Sequence, residues 1–266
     1  MCGRGGGHHS CNFYDVVCIG NLIKAWEEFR KGKRSKNEVA KFELDLENNI
    51  FGLHSRLVTH NWTPDPYEKF LTYDPKLRTI HKASVRDRVF YQAVYQKLYQ
   101  IFDLSFVFHS YSSRNNKGTH SGIFALEKFI RKTTKNYTSS AYVLKCDIKK
   151  FFDSIDHDIL INLISKKITD KRFLLLLKKI IDSFQFVSNK GLPLGNVTSQ
   201  IFSNIYLNEL DQFVKNNMKV RYYARYCDDF VMVSESKFHL ENYFSYFTIF
   251  CKVNFFLDLH PLLIFL

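Results

Sequence analysis

Two adjacent carboxylates, Asp228 and Asp229, sit between an aromatic run, Tyr222 Tyr223 Ala224 Arg225 Tyr226, and an apolar one, Phe230 Val231 Met232 Val233. Both flanks read as β-strand, so the acids fall at the tip of a hairpin. Asp-Asp in an ordinary surface turn carries little meaning. Between rigid apolar strands the two charges repel at a cost unless a cation compensates, and a divalent metal is the economical compensation. Mg²⁺ is held by one or two carboxylates plus substrate phosphates, so a further acid is expected from elsewhere. Asp147 fits, at the end of the apolar run Tyr142 Val143 Leu144 Lys145 Cys146. Two such strands side by side would place Asp147 against Asp228, the arrangement of a two-metal clamp of about 3.5 to 4 Å for in-line phosphoryl transfer. Asp153 and Asp158 read as solvated, and Asp156 or Ser154 as a helix N-cap.

The elements that must position these acids follow from periodicity. Helices are predicted over Asn21–Phe29, Glu38–Leu57, Val85–Leu104, Ser121–Lys132, within Phe151–Ile168, over Arg172–Phe184 and over Thr198–Phe213. Strands are predicted over Ala141–Cys146, Val220–Tyr226 and Phe230–Ser234, in part of Gln185–Leu194, and as a pair within Tyr67–His81 turning at Asp74-Pro75. Residues 1–20 read as a flexible leader. Its Cys2, His8, His9, Cys11 and Cys18 are taken as part of a Gly-rich terminus rather than as metal ligands.

Composition bounds the partner. The 266 residues hold 45% apolar side chains, enough for a real core, and 38 Lys and Arg against 26 Asp and Glu leave a net charge of +12. That balance favours a polyanion, nucleic acid first. Aromatics reach 16%, most of them necessarily core. Six cysteines show no close pairing, which excludes a disulfide framework and a zinc ribbon. No apolar run is long enough to span a membrane, and the expected location is cytoplasmic, in a bacterial or phage-type context.

At this point the residues resemble a family. Tyr226 Cys227 Asp228 Asp229 resembles the YxDD box of reverse transcriptases, and Asp147 Ile148 Lys149 Lys150 Phe151 Phe152 Asp153 the upstream palm motif. Arg78 to Arg88 and Ser110 to His120 are similar to the two fingers motifs, and Gly191 to Gln200 to the motif between the acids. Five motifs in order make the resemblance specific. It implies an α+β fold, the fingers and palm of a right-hand polymerase, with an antiparallel palm sheet backed by helices. Fingers are expected over about 21–140, palm over about 141–266, and a return to the fingers near 165–195.

The resemblance also assigns roles. Asp147, Asp228 and Asp229 would be catalytic and, with the backbone of Ile148, would hold two Mg²⁺, for which Mn²⁺ can substitute. Phe152 would exclude a ribose 2′-hydroxyl. Arg78, Lys82, Arg88, Leu194, Gly195 and Gln200 would meet the incoming nucleotide, and Arg114, Lys117 and Tyr226 the nucleic acid. Template RNA, a primer or cDNA strand and deoxynucleoside triphosphates are the implied partners, with room for a basic accessory protein and none for a membrane.

Gly191 Leu192 Pro193 Leu194 Gly195 Asn196 Val197 Thr198 Ser199 Gln200 has Leu194 where intron and retroviral enzymes place Gln. This form is similar to the error-prone enzymes of diversity-generating retroelements. A retron-like, group II intron-like or phage-defence enzyme, and a remnant that only binds RNA, stand as alternatives. After Leu257 Asp258 Leu259 His260 Pro261 the family continues into a primer grip and a thumb. Here the sequence stops at Leu266, and the expectation is a C-terminally truncated chain with the thumb missing.

Overall fold

The computed structural model describes residues 12–73 and 76–265. The chain divides into two compact units: the described residues up to Leu104 with Leu160–Phe202, and Ser105–Ile159 with Ser203 onward.

The first unit is mostly helical. It contains α1 (Phe13–Val17), α2 (Ile19–Arg30), α3 (Asn37–Leu44), α4 (Leu46–Val58) and α5 (Val85–Phe102), with the two-stranded ribbon β1 (Glu68–Tyr73) and β2 (Leu77–Lys82). The helices enclose Phe13, Val16, Leu22, Trp26, Leu53, Trp62, Val89 and Phe90, all buried. Two expectations are corrected here. The flexible leader expected over residues 1–20 does not hold for 12–20, where the Asn12 side chain caps α1 and Phe13, Val16 and Val17 are in the core; Cys2, His8, His9 and Cys11 lie outside the described residues. The single helix over Glu38–Leu57 is two, broken at Asp45 (φ −123°, ψ 40°), so that Val39 and Phe42 on one and Ile50, Leu53 and Leu57 on the other are all buried. The Asp74-Pro75 turn also lies outside the described residues.

The second unit contains α6 (Thr119–Thr133), β3 (Tyr142–Ile148), the short α7 (Phe151–Ser154), β4 (Tyr222–Tyr226), β5 (Asp229–Ser234), α11 (Lys237–Phe255) and β6 (Leu259–Phe265). Its sheet is antiparallel with strand order β4-β5-β3-β6. Aromatic and β-branched residues make these strands, and alternate ones, such as Val143, Phe230 and Met232, are buried. On one face Phe230 meets Phe247 of α11 at 4.4 Å between ring centres. Elsewhere Tyr111, Phe129, Ala141, Val143, Ala224 and Val233 form a cluster beneath α6. The segment before α6 also docks on β4, with Arg225 N donating to His109 O and Tyr111 N to Arg225 O, both at 2.9 Å. Residues 105–140 therefore group with these strands in the second unit.

Three helices link these parts in sequence: α8 (His157–Ser165), α9 (Lys171–Asp182) and α10 (Val197–Gln212), the last continuing as a π-helical turn over Phe213–Asn217. Asp156 Oδ1 accepts from the amides of Asp158 and Ile159, the N-cap role expected of it. Asp170 caps α9 and also accepts from Phe13 N at 2.9 Å, tying α1 to it. Gln185–Leu194 is not a strand. It holds one isolated bridge, Val187 to Lys190, closed by Asn189 at φ 59°, because the segment turns back on itself before it can extend.

Candidate active site

Pairing β5 beside β3 brings the acids together. Cys146 lies opposite Phe230, and the same register carried one step further sets Asp147 across from Asp229. Lys145 and Asp147 alternate with Cys146 and so share a face. Lys145 Nζ sits 3.0 Å from Asp229 Oδ1, both side chains about half exposed. Tyr226 pairs with Asp229, leaving Cys227 and Asp228 as a two-residue turn. Cys227 takes φ 54°, a left-handed backbone that is uncommon for a residue with a Cβ.

The electrostatics follow from this crowding. The Asp228 carboxyl is held above the ordinary carboxylate range, first by burial and then by the charges of Asp147 and Asp229. The Cys227 thiol is pushed up to about 12, by burial and by Asp228, so it stays protonated and is no nucleophile. Among the described residues no three acids, His or Cys converge into a complete protein cage. The donor set instead fits a hard cation that takes one or two carboxylates and completes its shell with water and phosphate oxygens. Ile148 has a buried side chain on β3 opposite Leu259, so only its backbone could contribute.

Phe152 lies four residues beyond Ile148 on α7. Phe151 is buried, whereas Phe152 is half-exposed, its ring 5.4 Å from that of Phe151. The turn into α7 runs through Lys150 at φ 46°. Tyr226 is 43% exposed, and its ring borders an apolar cavity of about 150 Å³ with Tyr111, Ile123 and Leu126.

In the first unit, β2 and the 191–200 segment meet. His81 N donates to Leu194 O at 2.9 Å. Gly195 takes φ 107°, and a Cβ there would approach Ile80 Cγ2 to 2.8 Å. Leu194 is half-buried, while Gln200 is exposed on α10. Arg78 is exposed on β2 opposite Thr72. Lys82 and Arg88 converge on Glu38, at 2.8 and 2.9 Å, and Lys82 also meets Glu68 at 3.0 Å. Burial alone would raise the Glu38 carboxyl, but these two cations outweigh it and bring it down.

Arg114 and Lys117 both bond to the loop that carries them. Arg114 Nη1 donates to the carbonyls of Val107 and Ser110, at 2.8 and 3.1 Å, and Lys117 Nζ to Phe108 O at 2.9 Å while covering the Phe108 ring. Both build the loop that carries them, whose backbone oxygens need donors.

Sequence reasoning missed Arg225 and Asp211. Both side chains are fully buried and joined by two hydrogen bonds, Nε to Oδ1 at 2.8 Å and Nη2 to Oδ2 at 2.7 Å. Burial disfavours the guanidinium's charge, and Asp211 more than offsets it. The one available signal was an arginine inside an aromatic strand.

Residues 72–258 match the family described as Reverse transcriptase (RNA-dependent DNA polymerase). Among curated proteins the chain is similar to an uncharacterized 91 kDa protein in a cob intron of Schizosaccharomyces pombe, at 32% identity over 52% of this chain and 17% of that protein. It is similar to YkfC of Escherichia coli at 28% identity, over 61% of this chain and 44% of that one. The group II intron-encoded protein LtrA of Lactococcus lactis is 29% identical over 52% of this chain and 23% of its own length. The chain thus spans less than half the length of these relatives. An apo telomerase structure from Candida tropicalis has the same fold, with a TM-score of 0.52 at 13% identity, over 79% of this chain and 54% of that one. The four-stranded palm sheet, the acids at one end of it and a match across residues 72–258 place this chain in the reverse transcriptase family.

Proposed function

We propose that this chain catalyses RNA-templated DNA synthesis. The observation that carries the reading is the register of β3 against β5, which gathers Asp147, Asp228 and Asp229 at one end of a rigid sheet. Asp147 and Asp228 offer carboxylate oxygens to divalent cations, Mg²⁺ in the first instance, with Asp229 assisting and the Ile148 carbonyl within the same strand end. Such cations supply activation of a primer 3′-hydroxyl and stabilisation of departing pyrophosphate. The chain's own residues do the rest. Phe152 presents a half-exposed ring that would exclude a 2′-hydroxyl, and Tyr226 an exposed ring on which a nucleotide can rest. On β2, Arg78 offers a cation to phosphate; among the described residues its side chain has no ion pair, in contrast to Lys82 and Arg88 on Glu38.

The finer reading is an error-prone enzyme of a diversity-generating retroelement, supported by Leu194, which offers no amide to a nascent base pair. A group II intron-like enzyme is the second reading, supported by the similarity to LtrA. The experiment is primer extension on an RNA template with Phe152→Ala. The variant is expected to accept ribonucleotides that the parent refuses; equal refusal by both would remove Phe152 from sugar selection.

A further inference from the structure

The Arg225 guanidinium has five N–H donors and all five find acceptors. Nε and one Nη2 hydrogen go to the two oxygens of Asp211 on α10. The second Nη2 hydrogen goes to Ser110 Oγ at 3.0 Å. Nη1 donates to Asn204 Oδ1 at 3.3 Å and to Cys227 O at 2.9 Å. Asn204 in turn donates to Ser112 O, and Tyr223 OH to Asp211 Oδ1 at 2.6 Å.

The last of the arginine's contacts sets it apart from a plain buried ion pair. Cys227 is the left-handed residue of the two-residue turn, and Asp228 follows it directly. A non-glycine residue keeps such a conformation only where its surroundings over-determine it. Arg225 supplies that constraint from inside the protein, anchored to α10 and to the segment lying parallel beside β4. Lysine could not reproduce it, because the planar fork engages Asp211 with one edge while an Nη1 hydrogen on the other side reaches the turn.

We infer that Arg225 is a positioning residue: with Asp211 as its anchor, it fixes the Cys227 carbonyl and thereby the direction in which Asp228 presents its carboxylate to a divalent cation. The inference rests on the metal-dependent reading above.

A purely structural pair predicts something different. Apolar residues of similar volume often replace a buried ion pair without loss of stability, but they cannot bond Cys227 O. The test is therefore Arg225→Met with Asp211→Leu and Tyr223→Phe, the last because the Tyr223 hydroxyl would otherwise lose its Asp211 acceptor. Mn²⁺ binding to the full chain is read by electron paramagnetic resonance as the portion lost in Asp228→Asn, alongside thermal unfolding and primer-extension kcat. The triple variant is expected to unfold cooperatively, to bind Mn²⁺ at least tenfold more weakly, and to lose at least as much in kcat, while its Kd for primer–template stays within twofold. A folded triple variant with Mn²⁺ affinity within twofold of the parent overturns the inference. Should the triple variant not fold, Arg225→Lys decides by the same two thresholds. Absence of saturable Mn²⁺ binding by the parent overturns it as well. Mn²⁺ results as expected without any primer extension would leave Arg225's role standing and refute the polymerase reading instead.

Discussion

Lys145 and Asp229 form an ion pair at 3.0 Å across the same strands that gather the acids. Asp147, two residues further along β3, shares the lysine's face, so a cation already neutralises one of the carboxylates on the edge that carries all three. Lys145→Met should leave the cluster more negative and tighten Mn²⁺ binding at low salt. With both side chains half exposed the gain is about 1 kcal/mol or less, at most roughly fivefold. Calorimetric titration checks it, and unchanged affinity would put Asp229 beyond the metal's reach.

Asp228→Asn should raise stability while destroying activity. The folded carboxyl lies above its ordinary value of 3.8, so the native state favours the proton and its relative stability declines as pH rises through and above that range. Asparagine removes this penalty. Without metal the variant is expected to melt above the parent at pH 7 and level with it near pH 3. Added Mn²⁺ should then raise the parent's melting temperature and leave that of the variant nearly unchanged. A variant less stable than the parent at pH 7 would contradict the account of the crowded acids.

The acids were legible in the sequence because their signal is local: aromatic and apolar strands around Asp228-Asp229 and before Asp147 leave a hairpin and a neighbour as the natural arrangement. The helix break at Asp45 was not, since the apolar spacing of three to four runs unbroken through Val39, Phe42, Leu46 and Ile50. Arg225 and Asp211 escaped for another reason. A buried ion pair joins residues fourteen positions apart on a strand and a helix, and no periodicity marks it. The strand expected in Gln185–Leu194 failed because turn chemistry at Asn189 outweighed β-propensity.

Gly195→Ala tests the junction of β2 with the 191–200 segment. The backbone is left-handed there, and the new Cβ would meet Ile80 Cγ2 at 2.8 Å. The expected loss is about 1 to 3 kcal/mol, from strained backbone and crowding together. Ile80→Ala in the same chain should recover the crowding part alone, so denaturant midpoints of the single and double variants separate the two. Full recovery would show that φ 107° costs nothing here.

Leu194→Gln addresses fidelity. If an apolar side chain leaves the nascent pair positioned by shape only, restoring an amide should lower misincorporation opposite template adenine by an amount matching about one hydrogen bond, roughly 0.5 to 1.5 kcal/mol. Sequencing of cDNA from a template with all four bases reads it. Uniformly low errors in the parent would favour the intron-like reading, and high errors indifferent to Leu194→Gln would move their cause elsewhere.

If Asp147 and Asp228 run RNA-templated nucleotidyl transfer, a DNA primer annealed to RNA should gain a labelled deoxynucleotide in the presence of the chain. Template-directed extension is expected to require Mg²⁺ or Mn²⁺ and to vanish in both Asp147→Asn and Asp228→Asn, with RNA binding by those variants nearly unchanged. Extension that survives either substitution, or no templated incorporation by the parent under any divalent metal, would contradict it.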